Sequence, residues 1–340
     1  MGKMLPLKKY QLKTNLVLLV DPETGEYSPN GVFKLLPGSV EAQVLNALRQ
    51  KYDCVCVMPF DSNGERFRAR IVALNPKLVF NLTEWIDGDR SKDYLITQCL
   101  DRLGIPFTGS AMAGLRLART KKQAKAVVAA MGIATPTDYS LRHSANITYP
   151  AFVKPAQGDG SDAISRKSLV RNQRQLLAQV KSLAQRRLGP TLCEEFIEGH
   201  DLFVALLGNE PQVLAPLQLV VSRQSRGAPC FATSHLKHDE HYKRHWGVRY
   251  VKAQLSEALM SEIEQSSRLI FHALHLRDYA RIDYRLTEEG RLVFIEVNPN
   301  PDLGRHTFGR NLCFADVQYT DLIHAIVDAA VKREGIENFT

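Results

Sequence analysis

The stretch from Arg281 to Asn298, RIDYRLTEEGRLVFIEVN, constrains this chain more than any other. Two runs with alternating side chains flank Glu289-Gly290, where glycine supplies the positive φ of a two-residue hairpin loop. With that loop, facing residues have numbers that sum to 579. Asp283 then faces Glu296 and Arg281 faces Asn298, all four on one side of the ribbon. The other side carries Ile282, Tyr284, Leu286, Val293, Ile295 and Val297 and is expected to cover a core. Two opposed carboxylates repel each other. A divalent cation between them turns that repulsion into binding, with Asn298 as a third oxygen. A solvated polar face, with Arg281 neutralising one acid, is the competing reading.

The wider chain is that of a soluble globular protein: 340 residues, 44% hydrophobic and 24% charged, with room for two or three cores. Asn15–Val20 is a short apolar run that ends at Asp21-Pro22, so it reads as a strand and not as a leader segment. No run is long enough to cross a membrane, and a cytoplasmic protein is expected. The six cysteines include Cys54-x-Cys56 but no paired CxxC motifs, which suits reduced thiols. The net charge of +8 is spread along the chain, apart from a concentration at Arg166, Lys167, Arg171, Arg174, Lys181, Arg186 and Arg187. Leu176, Leu177, Val180 and Leu183 recur there at helical spacing, so the charges mark the wet face of a helix and no nucleic-acid partner is expected.

Residues 15–118 alternate apolar runs (15–20, 53–58, 78–81, 106–108) with helical patterns near 40–50 and 92–103, which predicts a small parallel α/β domain. Lys121 opens a predicted helix, with Thr120 as N-cap, Gly132 as its stop and Pro136 beyond. Lys154 sits among apolar neighbours in the strand Tyr149–Pro155, a costly place for an ammonium unless it meets an anion. Gly158 and Gly160 in the next loop free the backbone to approach a phosphate, and Ser161 adds a hydroxyl. His235, His238, His241 and His245 have spacings that suit a helical metal site, or else belong to a basic lid. Helices are also expected over 255–274 and 318–333.

Asp283, followed thirteen residues later by Glu296-Val-Asn298, together with Val153-Lys154-Pro155, the glycine loop and Glu194-Glu-Phe-Ile-Glu-Gly-His-Asp201, resembles the ATP-grasp carboxylate–amine ligases. Within them it is similar to the D-alanine–D-alanine ligase branch, over most of the chain. The resemblance implies an ATP-grasp fold: an N-terminal α/β domain (1–118), a central subdomain (119–198) and a C-terminal subdomain with the metal site (199–340). It implies ATP and one or two Mg²⁺, with Mn²⁺ an alternative ion, held by Asp283, Glu296 and Asn298. Lys121, Lys154 and the lid residue Lys237 would meet phosphate oxygens, Ser161 would cover them, and Arg281 would face the oxyanion of the tetrahedral intermediate. Glu194 and the backbone of Glu195–Ile197 would read adenine, Phe196 would flank it, and Asp201 would take the ribose.

The amino-acid half departs from the family pattern. The glutamate that anchors the first amino acid's ammonium falls near Leu35, with Glu41 close but out of register. Gly160 and His238 stand where a serine and a tyrosine are usual, and Pro301-Asp302 where Pro-Gly is usual; Thr307 replaces a carboxylate-binding serine. The expected activity is therefore ligation of a small-molecule or peptide carboxylate and amine other than two D-alanines. True D-alanine–D-alanine ligation and an ATP-binding regulator without turnover are the alternatives. Related ligases pair as homodimers, and that expectation extends to this chain.

Overall fold

The computed structural model describes residues 15–157, 163–223, 230–233, 235–236, 239–304 and 317–339. It begins with β1 (Leu16–Val20), all of whose residues are shut off from solvent. The Gly- and Pro-containing stretch that follows forms a small hairpin, β2 (Gly25–Tyr27) with β3 (Phe33–Leu35). Next come α1 (Val40–Leu48), whose Ser39 side chain accepts from Ala42 N, then β4 (Val55–Pro59), α2 (Gly64–Leu74) and β5 (Leu78–Asn81). The three longer strands form a parallel sheet in the order β4-β1-β5. Residues 106–108, expected as a further strand, contribute one parallel bridge, Phe107 to Val79. Helices α3 (Tyr94–Arg102) and α4 (Met112–Arg119) complete this region. Helix α2 gives little signal in the sequence, since it buries only Phe67 and Ile71 and carries three arginines.

Helix α5 (Lys121–Ala130) starts where expected, but Thr120 does not cap it: its hydroxyl donates back to Arg116 O at 3.0 Å. Strands β6 (Asp138–Tyr139), β7 (Ala151–Pro155) and β8 (Leu169–Val170), helix α6 (Gln173–Gln185) and β9 (Thr191–Glu195) then form an antiparallel layer ordered β6-β9-β7-β8. Helix α6 buries Leu176 and Leu183, whereas Leu177 is 59% exposed, so the apolar stripe is narrower than the sequence pattern suggested.

The third layer comprises β10 (His200–Leu207), β11 (Gln212–Val213), β12 (Leu217–Val221), α7 (Glu240–Trp246), β13 (Val248–Lys252), α8 (Glu257–Ala273), β14 (Tyr279–Leu286) and β15 (Leu292–Asn298). Its sheet runs β13-β12-β10-β14-β15, with β11 beside β10. Helix α9 (Tyr319–Glu334) ends the chain.

The β14–β15 hairpin corrects the sequence reading in an instructive way. Its loop has three residues, 288–290: Thr287 N donates to Arg291 O and Gly290 takes φ +82°. Near the loop Tyr284 therefore faces Phe294, and Leu286 faces Leu292. A bulge next to Asp283 adds one residue on β15 and restores Asp283 opposite Glu296 and Arg281 opposite Asn298. The expected pairing holds at the polar end, but Val293 and Ile295 leave the core face. Leu292 and Phe294 take their place beside Val297, against Ile282, Tyr284 and α8.

Packing also crosses the expected domain limits. Leu322, Ile323, Ile326 and Val327 of α9 bury against β1 and α1, so the last helix closes the first core. Ala124 and Val128 of α5 pack with Ile270, Leu274 and Ile282 of the third layer. That docking brings the start of α5 to the polar end of β15.

Candidate active site

The polar face of β14–β15 is half-buried. Asp283 is 8% exposed, and both its oxygens accept from Arg281: Nε to Oδ1 at 2.7 Å and Nη2 to Oδ2 at 3.0 Å. Burial opposes the charge on Arg281, but Asp283, and behind it Glu296, hold its pKa well above the usual arginine value. Lys121 Nζ lies 3.9 Å from Glu296 Oε2, and this ammonium is itself buried. The competing reading, Arg281 neutralising one acid, thus describes this structure. The donor set nonetheless fits a hard divalent ion: two carboxylates face each other, with Asn298 beside them opposite Arg281. Three protein oxygens leave the rest of an octahedral shell to phosphate and water.

Lys154, on β7, is 2% exposed and reaches Glu194 Oε1 of β9 at 2.6 Å. Lys125, one turn along α5 from Lys121, pairs with the other oxygen of Glu194. One carboxylate therefore holds two buried ammoniums. Burial pulls Lys125 down to about 8, only partly offset by Glu194. Burial also opposes the charge on Lys154, yet Glu194 and Glu296 outweigh it and keep its pKa above the usual lysine value. Burial pushes Glu194 up, but Lys125 and Lys154 together hold it below the usual carboxylate range. Both oxygens of Glu194 thus accept from lysines, and Glu194 also lines the adjoining pocket; each oxygen keeps a lone pair for a further donor. Lys125 was missed in the sequence, because nothing local distinguishes it from the solvated lysines of the same helix.

Beside this cluster lies a pocket lined by Pro136, Phe152, Ile164, Phe196, Ile197, Phe203, Phe231 and Ile295, with Lys154, Asp201, Asp283 and Glu296 at its polar end. Phe152 and Phe196 stack at 6.1 Å, and Phe231 meets Phe152 edge-on at 5.0 Å. Ile295 enters this pocket because of the bulge. Glu195 directs its carboxylate away, to Thr137 Oγ1 at 3.0 Å. Glu195 N donates to Thr137 O, Phe196 N to Pro150 O, and Ile197 O accepts from Arg285 at 3.1 Å. Asp201 is held by Arg285 Nη1 at 2.7 Å and by Ala232 N at 2.9 Å. Arg285 also sits over the Phe196 ring, so it ties the two strands of the pocket together.

A second, larger cleft of about 1480 Å³ opens on the other side of Phe203. Arg281 and Asn298 line it together with Asp21, Glu23, Glu41, Glu84, Trp85, Arg90, Arg244, Arg249 and Asp302. Asp21, just past the C-terminal end of the central strand β1, accepts from Glu84 N at 3.0 Å and Trp85 N at 3.4 Å. That edge is where open parallel sheets bind ligands. Burial pushes the Asp21 carboxyl up to about 7. Asp302 accepts from Gly304 N at 2.8 Å. Leu35 lies on β3 against the first core, whereas Glu41, in the first turn of α1, does line the cleft. Ser161, Lys237, His238 and Thr307 lie outside the described residues. Among the described residues no group of three or more His, Cys, Asp or Glu could hold a metal, so His235, His241 and His245 form no such site by themselves.

A strand-held lysine, an aromatic pocket and an acidic hairpin between two antiparallel layers define the ATP-grasp fold. The solved structures agree: D-alanine–D-alanine ligase of Bacillus anthracis complexed with ATP superposes at TM-score 0.70, with 17% identity over 95% of this chain and 99% of that one. The VanG D-Ala:D-Ser ligase of Enterococcus faecalis gives TM-score 0.68 and 18% identity over 94% and 100%. The family model "D-ala D-ala ligase C-terminus" matches residues 122–328, and the chain belongs to that family. Among curated relatives, the uncharacterized protein y4sG of Sinorhizobium fredii is 29% identical over 75% of each chain. D-alanine–D-alanine ligase of Xylella fastidiosa is 28% identical over 67% of this chain and 73% of its own. A putative D-alanine–D-lactate ligase of Streptomyces coelicolor is 26% identical over 72% and 70%. Among the described residues no helix is long and apolar enough to cross a membrane.

Proposed function

We propose that this protein is an ATP-dependent ligase that joins a carboxylate to an amine, with a substrate pair other than two D-alanines. The observation that carries the reading is the continuity of three features. The aromatic pocket, the Lys154–Glu194–Lys125 cluster and the Arg281/Asp283/Glu296/Asn298 face adjoin one another, and the large cleft begins at Arg281 and Asn298.

In this reading the adenine lies between Phe196, Phe231 and Ile295. Glu195 O and Ile197 N read its edge, since Glu195 N, Phe196 N and Ile197 O are used within the fold. Asp201 meets the ribose, and Lys154 and Lys121 meet phosphate oxygens. Asp283, Glu296 and Asn298 would hold Mg²⁺, which when bound would supply charge neutralisation at the phosphates. Both Asp283 oxygens accept from Arg281 and each keeps a lone pair for an ion, while Arg281 also lines the cleft, where its guanidinium can bind a developing oxyanion. A substrate carboxylate oxygen attacks the γ-phosphorus and the bond to the β-phosphate oxygen breaks, leaving an acyl phosphate and ADP. The amine nitrogen then adds to the acyl carbon. Inorganic phosphate leaves and the ammonium proton is lost, so one ATP yields ADP, phosphate and one amide.

Curated relatives include D-alanine–D-alanine ligases and a putative D-alanine–D-lactate ligase, so the family itself varies its second substrate. The reading is tested by ATP-dependent phosphate release with Mg²⁺, offering amino acids singly and in pairs, with Asp283→Asn as control. Release that needs an acid–amine pair and falls at least about 100-fold in the variant supports it. Release with D-alanine alone would establish D-alanine–D-alanine ligation. ATP binding without release for any pair would favour the regulator.

A further inference from the structure

Six cationic side chains line the large cleft: Arg90, Arg119, Lys243, Arg244, Arg249 and Arg281. Four are neutralised inside the protein. Arg90 pairs with Glu84, Arg119 with Asp93, Lys243 with Glu240 at 2.6 Å and Arg281 with Asp283 at 2.7 Å. Arg244 and Arg249 are different. Arg244 Nε donates to Glu240 O at 3.3 Å and Arg249 Nη2 donates to Ser222 Oγ at 3.3 Å, both neutral acceptors. Among the described residues neither guanidinium meets a carboxylate.

The two arginines flank one tight turn. Gly247 ends α7 with φ +61° and passes the chain directly into β13. Ser222 N donates to Gly247 O and Arg223 N to Trp246 O, which fasten the turn to the end of β12. Tyr242 and Val248, on either side, pack with Leu236 and Phe203 on the inner face of the sheet. The arginines therefore project from an anchored corner. They line the large cleft and not the pocket that Lys154 lines. Glu23 and Glu41, which line the same cleft, are likewise without an ion-pair partner among the described residues. The cleft is larger than usual small-molecule sites of roughly 300–1,000 Å³.

We infer that Arg244 and Arg249 form an additional anion subsite, and that one of the two substrates carries a carboxylate beyond the donor's reacting one and the single one that any amino-acid acceptor keeps: an acidic amino acid, or a peptide with an acidic residue. This rests on the ligase reading above and names its substrate class. Planar guanidinium groups suit a carboxylate because they offer paired donors, and Glu23 and Glu41 in the same cleft offer charge to the same molecule's ammonium end. The extra carboxylate can belong to the acyl donor or to the amine acceptor, and the products distinguish the two.

The test is ligation with ATP and Mg²⁺, followed by mass spectrometry. The substrates are D- and L-alanine, D- and L-aspartate, D- and L-glutamate, alanyl-alanine and alanyl-glutamate, offered in pairs. The expected product contains an acidic residue, and its fragmentation shows which partner was acylated. Arg244→Ala and Arg249→Ala should each raise KM for that partner about 10- to 100-fold, with little change in kcat or in KM for ATP. Arg249→Lys should recover part of the loss. Coupling of neutral amino acids or alanyl-alanine only, or an unchanged KM in both alanine variants, would overturn the subsite while leaving the ligase intact. No coupling of any pair, with ATP still bound, would instead reject the ligase reading and the subsite with it.

Discussion

Replacing Glu194 with glutamine removes the anion shared by Lys125 and Lys154, and the structure allows the cost to be apportioned. Exposures of 3%, 7% and 2% for Glu194, Lys125 and Lys154 mean that water cannot replace the carboxylate. Lys125, already lowered to about 8 with Glu194 present, is driven lower without it and can shed its proton near neutral pH. Lys154 is held above the usual lysine value chiefly by Glu194, so the substitution removes what offsets its burial. Leaving it charged and unpaired costs about 3–5 kcal/mol. The expected loss is therefore several kcal/mol, and it falls on β7 and β9. Amide hydrogen exchange of those strands should quicken about 10²- to 10³-fold, and calorimetry should show ATP binding weakened at least tenfold. Lys125→Met removes the surplus cation and leaves a one-to-one Lys154–Glu194 pair, so it should change local stability by less than about 1.5 kcal/mol. If Glu194→Gln left exchange and ATP affinity within threefold of the native protein, Lys154 would not depend on Glu194 and the reasoning would fail.

Asp21 should contribute a pH dependence of its own. Its folded pKa of about 7 exceeds its ordinary 3.8, so the native state binds more protons between those values. The resulting stability, up to about 4 kcal/mol, is complete below pH 3.8 and lost as pH rises through 7; Asp21→Asn should flatten that part of the unfolding profile. Gly199 joins β9 to β10 at φ +138°, and a Cβ there would overlap Leu286 O. Gly199→Ala should cost several kcal/mol and weaken ATP binding at least tenfold, whereas Gly208→Ala, a positive-φ turn with its nearest neighbour 3.9 Å away, should spare ATP affinity.

Much of the architecture is written in local patterns. The alternation of β14 and β15 put Asp283 opposite Glu296, the apolar surroundings of Lys154 marked a buried ammonium, and helical spacing outlined α1, α3, α8 and α9. These features follow from side-chain period and turn chemistry, which depend on neighbours a few residues away. The hairpin shows the limit of such reasoning. A longer loop and a bulge shift the register twice, and only the packed sheet reveals that Ile295 faces the nucleotide pocket while Phe294 faces the core.

The charged network was less legible, because its partners are distant in sequence. Lys125 meets Glu194, Arg285 meets Asp201, and Arg244 and Arg249 gather at the rim through the Gly247 turn. No period in the chain announces those encounters. By itself, then, the sequence determined strands β1, β4, β5, β7, β14 and β15, most of the helices and the polar edge on which catalysis is proposed, since these are set by local backbone preference and alternation. Which cation each acid holds, which core the last helix closes and which arginines remain unpaired in the cleft were decided only by tertiary structure. Long-range packing sets burial and distance, and those two quantities govern every charge in the site.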